Sequence, residues 1–151
     1  MGAEANGTEE NPSATVSEHV EALLEAARYN DIDDVKSLAA IGVSLNSKDA
    51  EGRTALHMAS ANGNVDIVNY LISNNVDVNA INVENNTPLH WACLNGHIQV
   101  VNILILAGAE VSSLNSHERT PVDEAAIGGK MDVIDAINTA VAQMELTRAS
   151  V

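Results

Sequence analysis

Two histidines, His57 and His90, stand at equal places in two similar stretches and raise the question of a metal or catalytic site. Each ends a Thr-x-Leu-His run, at residues 54–57 and 87–90. Imidazole is both a common metal ligand and a common general base. The chain has no HExxH motif, CxxC pair, Gly-rich phosphate loop or GxSxG nucleophile motif that would complete such a site.

The remaining reactive side chains do not form a catalytic set either. Cys93 is the sole cysteine, so an intrachain disulfide and a thiolate metal cluster are excluded. It falls at a small-residue core position, where burial keeps a thiol inert. Asp123 and Glu124 are neighbouring carboxylates, but adjacent helix residues point apart. We therefore expect no enzyme activity and no catalytic, cofactor-binding or metal-binding residue.

The elements that position these side chains repeat with a period of 33 residues. Residues 54–57 read Thr-Ala-Leu-His, residues 87–90 read Thr-Pro-Leu-His, and residues 120–123 read Thr-Pro-Val-Asp. A fixed period of this length indicates one small structural unit that has been copied and stacked. Because one such unit cannot bury its own apolar face, we expect a short solenoid whose neighbours share a core.

Each unit is predicted to hold two helices, most clearly in the third copy. Thr87 can cap a helix with its hydroxyl, and Pro88 fits the first helical position. Gly96 should end this helix after about two turns. A second helix is predicted from Ile98 to about Leu106, with Gly108 ending it because glycine readily adopts the left-handed conformation.

These stretches resemble ankyrin repeats. The resemblance rests on the turn Asp-Ala-Glu-Gly-Arg at 49–53 and on the runs TALHMASANGN at 54–64 and TPLHWACLNGH at 87–97. It implies an all-α repeat solenoid of four stacked ankyrin repeats, each a helix-turn-helix unit with a β-turn or extended loop. It also implies that His57 and His90 are structural, with hydrogen bonds that tie the turn to the next unit.

The repeat phase divides the chain into four units between two tails. Residues 1–15 contain almost no apolar side chains, which is typical of disorder. We expect a disordered acidic tail at 1–15, an N-terminal cap repeat at 16–48, repeats at 49–81 and 82–114, a C-terminal cap repeat at 115–144 and a flexible tail at 145–151.

Charge indicates the class of partner. The chain has 21 acidic and 7 basic residues, for a net charge of −14. Nucleic acid binding needs clustered Lys and Arg, so this balance predicts a protein partner of basic character instead. With no run of 18 apolar residues we expect no membrane span. The N-terminal stretch is not of the secretory type, so we expect the protein in the cytoplasm, the nucleus or both. We also expect it to be a monomer on its own.

The resemblance implies a concave groove lined by the turn tips and the exposed side of the shorter helices. Carried over by position, the expected partner-binding residues are Tyr29, Glu51, Arg53, Asn62, Glu84, Asn86, Trp91, Leu94, Asn95, His117, Arg119 and Ile127. Trp91 is the strongest candidate because large rings often dominate interfaces. The alternative is that it only packs against Met58 and Glu124, its counterparts in the adjacent units.

We expect a non-catalytic protein-protein interaction module. The chain is similar to small acidic ankyrin chaperones that hold a basic ribosomal protein, which implies a dedicated chaperone or escort. The alternatives are a regulatory inhibitor of a protein kinase and an adaptor subunit of a signalling complex. Kinase inhibitors of this family often have a distorted short helix in their second unit, whereas residues 54–62 here have a regular helical pattern.

Overall fold

The computed structural model describes residues 12–149 of the chain. Within this range the backbone forms eight α-helices and no strand, arranged as four helix-turn-helix pairs. The helices are α1 Pro12–Arg28, α2 Ile32–Ala40, α3 Ala55–Ala61, α4 Val65–Ser73, α5 Pro88–Leu94, α6 Ile98–Leu106, α7 Pro121–Ile127 and α8 Met131–Ala149. Among the helices in 12–149, none combines the length and the apolar character needed to cross a membrane.

A reciprocal cap starts α3, α5 and α7. In α3, the Thr54 hydroxyl accepts from the backbone N–H of His57 at 3.2 Å, and His57 Nδ1 accepts from the backbone N–H of Thr54 at 3.2 Å. The same pair of bonds starts α5 at Thr87. In α7 the partner of the threonine is Asp123, whose carboxylate replaces the imidazole. The cap satisfies two backbone donors that a helix start leaves unpaired.

The segments between the helix pairs are here called fingers 1, 2 and 3 (residues 41–54, 74–87 and 107–120). One side chain stabilises the turn of each finger. The side-chain oxygen of Asp49, Asn82 or Asn115 accepts two backbone N–H groups of its own turn, at 2.9 to 3.1 Å. Gly52 has a φ of +78°, and a Cβ there would lie 3.0 Å from the Cα of Asn82. A side chain at Gly52 would therefore push the first two fingers apart.

Hydrogen bonds join each unit to the next. His57 Nε2 donates to the carbonyl of Asn86 at 2.8 Å, and His97 Nε2 lies 3.1 Å from the carbonyl of Ala61. The amide of Asn64 donates to the carbonyl of Ala27 at 2.8 Å. The structural role expected for the histidines is thus present in the geometry, since each ring meets a carbonyl of a neighbouring unit.

One apolar core runs through all four pairs. The first helices of the pairs, α1, α3, α5 and α7, pack closely along the whole stack, whereas α2, α4 and α6 pack loosely on one another and only α6 and α8 of the second helices pack closely. The close approach follows from small buried residues on the first helices, namely Ala26, Ala27, Ala55, Ala59, Ser60, Ala92, Cys93 and Ala125. Closer packing on one side curves the stack toward the first helices and makes that side concave.

The helix bounds differ from the sequence expectation at both ends. Helix α1 begins at Pro12, so the expected tail at 1–15 overlaps its first turn, and residues 1–11 lie outside the described residues. Helix α8 continues to Ala149, through most of the segment expected as a flexible tail. Val20 of α1 and Met144 of α8 pack with the shared apolar core, whereas residues 145–149 of α8 are exposed.

Truncation of a shared core side chain should destabilise the whole stack. Leu89 is fully buried, with 0% of its surface exposed. We expect Leu89→Ala to lower the free energy of unfolding by about 2–5 kcal/mol, because it removes buried methyl groups and leaves a cavity. Urea titration followed by circular dichroism measures this.

Leu106→Ala is the matched control, because Leu106 is 75% exposed. It should change the free energy of unfolding by less than about 0.5 kcal/mol. Equal losses in the two variants would contradict a shared core.

Candidate functional site

The concave side is a groove formed by the first helices and the fingers beside them. At its N-terminal end, residues of α1, α3 and finger 1 line a pocket of about 400 Å³. The floor is apolar, with Leu24 and Met58 both nearly buried. The fingers and first helices therefore share one surface, as the repeat resemblance implied.

Carboxylates dominate the rim of this pocket. Glu21 and Glu25 are exposed and lie one turn apart on α1, and Glu51 is exposed on finger 1. Arg28 is the one cation on the α1 side of the pocket, with its guanidinium 5.9 Å from the Tyr29 ring. The pocket combines an apolar floor with negative charge at its edge.

Arg53 is held by its own finger. Its Nε and Nη2 atoms both lie 2.8 Å from Asp49 Oδ2, and its Nε lies 3.9 Å from Glu51. Burial raises the pKa of Asp49, but the hydrogen bonds from Arg53 and the backbone outweigh it, so the net pKa lies below its usual value. Arg53 therefore neutralises Asp49 and leaves Glu51 largely free.

Trp91 lies half-buried on α5, a first helix of the third unit. Its ring meets the His57 ring edge-on, with centroids 5.2 Å apart and an interplanar angle of 70°. Trp91 thus has a ring contact with the histidine of the preceding unit, and its packing against Met58 and Glu124 stays a prediction. This contact fixes the indole at the boundary of the second and third units and leaves part of its surface open.

Three apolar side chains of the expected set are exposed. Tyr29 is 70% exposed, Leu94 37% and Ile127 59%. Leu94 and Ile127 occupy equal positions in α5 and α7, 33 residues apart. Their place in a partner-binding surface stays a prediction.

The polar members of the expected set divide into exposed and committed residues. Glu84 and His117 are exposed on fingers 2 and 3. Asn62 and Asn95 are exposed, but their amides donate to the carbonyls of Met58 and Trp91, which closes the ends of α3 and α5. These amides stabilise the helix ends, whereas Glu84, His117 and the largely free Glu51 present exposed polar groups.

Asn86 and Arg119 belong to a polar network between the third and fourth units. Asn86 is buried, and its Oδ1 accepts from Asn115 Nδ2 at 2.8 Å. The same Asn115 amide donates to the buried carboxylate of Glu124 at 2.7 Å, and Arg119 lies 3.9 Å from Glu124. The expected binding role of Asn86 is therefore replaced by an internal one.

Sequence reasoning missed several groove residues. Glu21 and Glu25 stand on α1, whose helical pattern departs from the repeat signature used to transfer positions. Their spacing of four residues was the available signal, since it places both on one helix face. Ile81 and Leu114 occupy equal positions in fingers 2 and 3 and are 44% and 58% exposed.

The side chains considered for catalysis or metal binding have structural roles. His57 accepts at Nδ1 and donates at Nε2, so the ring is neutral, and burial lowers its pKa to about 4. Burial raises the pKa of the Cys93 thiol to about 12. Among residues 12–149, no group of three or more His, Cys, Asp or Glu side chains is placed to hold a metal ion.

Acid should destabilise the stack through His57. Its pKa is about 4 in the folded chain against an ordinary value of 6.5, so the unfolded chain binds more protons between these values. The stabilisation is complete above pH 6.5 and is lost as the pH falls toward 4. We expect a loss of about 3 kcal/mol in the free energy of unfolding, at about 1.36 kcal/mol per pKa unit.

Urea titrations at several pH values measure the slope of the free energy of unfolding against pH. In His57→Gln the slope between about pH 6.5 and 5 should be shallower than in the wild type, because the titrating ring is gone. Equal slopes in the two proteins would show that another group causes the acid sensitivity.

Comparison with known proteins agrees with this geometry. The family model described as ankyrin repeats (3 copies) matches residues 23–115 and 84–140, and no curated protein matches the chain. The model counts three copies, whereas residues 12–149 form four helix pairs. Ankyrin repeats are generally protein-protein interaction modules and are typically non-catalytic. From the repeat geometry and the extent of the match, the chain belongs to the ankyrin-repeat family.

Proposed function

We propose that this chain binds a basic protein in its concave groove and serves as an escort for it, with a basic ribosomal protein as the expected client. The observation that carries the proposal is the rim of the N-terminal pocket. There Glu21 and Glu25 are exposed and, within the part of the chain that the structure describes, take part in no ion pair. Unpaired carboxylates beside an apolar floor favour a cationic side chain as occupant.

The shape of the pocket fits a lysine or arginine. These side chains lay their methylene stems on apolar surface and keep the charged head in water. Leu24, Met58 and Ala50 are the apolar residues of the lining, and its exposed carboxylates Glu21, Glu25 and Glu51 outnumber the one cation that is not bound to Asp49, Arg28. Carboxylates on both α1 and finger 1 could contact the same cation.

The charge of the whole chain supports an escort. With a net charge of −14, the chain attracts basic proteins over a distance and speeds their association. Without an escort, the basic segments of a ribosomal protein would attract RNA. An escort that covers basic segments would work in the cytoplasm, the nucleus or both, and would bind as a monomer.

The alternatives differ in the forces that they need. A kinase inhibitor or an adaptor subunit that binds through apolar contacts does not need the acidic rim. The helix α3 is regular over Ala55–Ala61, unlike the distorted second-unit helix that is typical of the inhibitors. No feature of the groove specifically favours either alternative.

Capture of a basic client should depend on salt and on the rim carboxylates. We expect the recovery of small-subunit ribosomal proteins on immobilised wild-type chain to fall about tenfold between 50 and 300 mM NaCl, since screening weakens exposed charge contacts. Glu21→Gln with Glu25→Gln should reduce recovery at low salt about fivefold, at up to about 1 kcal/mol per exposed pair. Quantitative mass spectrometry of the eluates measures both.

The control removes the same charge elsewhere. Asp135→Asn with Glu145→Gln neutralises two exposed carboxylates on α8, outside the groove, and should leave recovery nearly unchanged. If both double variants lose the same fraction of client recovery, the net charge of the chain and not the pocket accounts for binding. Recovery of a kinase, or of basic clients that resist salt, would reject the escort.

Trp91→Ala together with Leu94→Ala tests the centre of the groove. Removal of a half-buried ring and an exposed leucine should lower client recovery at least about tenfold, because central aromatic residues contribute most to binding. Unchanged recovery would reject this groove as the binding surface.

A further inference from the structure

Backbone hydrogen bonds join the fingers into a row with a fixed direction. The N–H of Val83 in finger 2 donates to the carbonyl of Glu51 in finger 1 at 3.0 Å. The N–H of Ser116 in finger 3 donates to the carbonyl of Glu84 in finger 2 at 2.8 Å. Each finger thus donates to the finger before it, so the first finger of the row has a donor with no finger to receive it.

That donor is the N–H of Ala50. Ala50 holds the corresponding position in finger 1, 33 residues before Val83. Within the part of the chain that the structure describes, its N–H has no hydrogen-bond partner, and the residue is exposed. Unpaired backbone groups at the edge of a paired row are where a further extended segment adds. Finger 1 therefore offers an open edge.

A groove runs between this edge and α1. A cavity of about 620 Å³ has Ala50 in its lining together with Val16 and Val20 of α1. The pocket of about 400 Å³ between α1, α3 and finger 1 shares Glu21, Asp49 and Ala50 with this cavity. Because the two linings have these residues in common, the two cavities are adjoining parts of one groove.

The apolar side of the groove follows one face of α1. Val16, Val20 and Leu24 are spaced by four residues and lie in the linings of the two parts. From Val16 to Arg28, which also lines the groove, an α-helix rises about 18 Å at about 1.5 Å per residue. An extended segment of about six residues covers this length, at about 3.3 Å per residue.

We propose that this groove binds an extended segment of a partner protein, which lies along α1 and adds to the edge of finger 1. A backbone carbonyl of the segment accepts from the N–H of Ala50, as the carbonyl of Glu51 accepts from Val83. An α-helix bonds most of its carbonyls internally, so an extended segment is the occupant that has acceptors to offer.

The side chains of such a segment alternate between two faces, so every second residue faces α1. Val16 is 61% exposed, and an apolar residue of the segment covers it. The lining contains Lys48 and Arg28 as well as Glu21, so backbone pairing and not charge selects this occupant. The place of binding rests on the proposed function, whereas the pairing does not depend on the sign of the partner's charge.

Ala50→Pro removes this one donor. Ala50 is the second residue of the turn 49–52, in which the N–H of Gly52 donates to the carbonyl of Asp49 at 3.0 Å, and proline is favoured at that place. We expect Ala50→Pro to keep or raise the urea midpoint of unfolding. Val83→Pro, at the equal place in finger 2, should lower it, because the bond to Glu51 is lost. Equal losses in the two variants would show that Ala50 has a partner within the chain and would overturn the proposal.

Pools of synthetic hexapeptides test the occupant. In the first pool Val, Leu or Ile alternates with Ser, Thr, Asn or Gln. The second pool has equal composition, with its apolar residues at positions 1, 2 and 5. Titration of the ¹⁵N-labelled chain followed by NMR measures affinity and the hydrogen exchange of single amides. We expect the alternating pool to bind at least about tenfold tighter and to slow exchange of the Ala50 amide at least about tenfold.

The same titration on two variants tests the hydrogen bond. Ala50→Pro should weaken the alternating pool about fivefold, whereas Ala50→Gly, which keeps the N–H, should change its affinity less than about twofold. If Ala50→Pro does not fold, the two pools and the amide exchange of the wild-type chain decide. Equal or tighter binding of the second pool, no binding of either, or an unprotected Ala50 amide would overturn the proposal.

Analytical ultracentrifugation tests a second copy of the chain as the occupant. Self-association that Ala50→Pro abolishes would assign the edge to a second copy and overturn the proposal. A third hexapeptide pool, with lysine at every polar position, separates the proposal from the proposed function. Equal affinity of the neutral and lysine pools would reject the basic partner and leave the added segment standing. Tighter binding of the lysine pool with an unprotected Ala50 amide would do the reverse.

Discussion

The stack depends on a neutral imidazole held between a threonine and the next finger. In His57, Nδ1 accepts from the backbone of Thr54 and Nε2 donates to the carbonyl of Asn86. One ring thereby starts a helix and connects two units. His90 repeats the arrangement with Thr87 and the carbonyl of Arg119 at 2.9 Å. Since each side of the ring has a fixed partner, a proton on Nδ1 would disrupt the helix start.

The groove follows from what packs behind it. Alanine, serine and cysteine on the first helices permit close approach of these helices. The stack therefore curves toward them, and the fingers and the first helices surround a common hollow. Side chains that face the hollow are free of packing demands, so their types can vary from unit to unit. That freedom allows Arg28, Ala61, Leu94 and Ile127 to stand at one repeat position.

Much of this architecture could be predicted from the sequence, because the signals are local. The helix starts at Thr54, Thr87 and Thr120 follow from capping chemistry, and the ends near Gly96 and Gly108 follow from backbone freedom. Features that depend on distant residues could not be predicted. Asn86 and Glu124 become partners only through Asn115, and Trp91 meets His57 across a unit boundary. The start of helix α1 at Pro12 could not be predicted either, because residues 12–15 carry no repeat signature.

The carboxylate of Asp123 has a consequence for modular engineering. It performs the cap at Thr120 as an imidazole does, but an ionised carboxylate has no proton to donate to a following carbonyl. If another repeat were added after α8, the cap at the start of α7 would remain. The hydrogen bond that His57 donates to the following finger would have no counterpart at Asp123. Restoring histidine at that place would supply the donor and add one hydrogen bond to the junction with the added repeat.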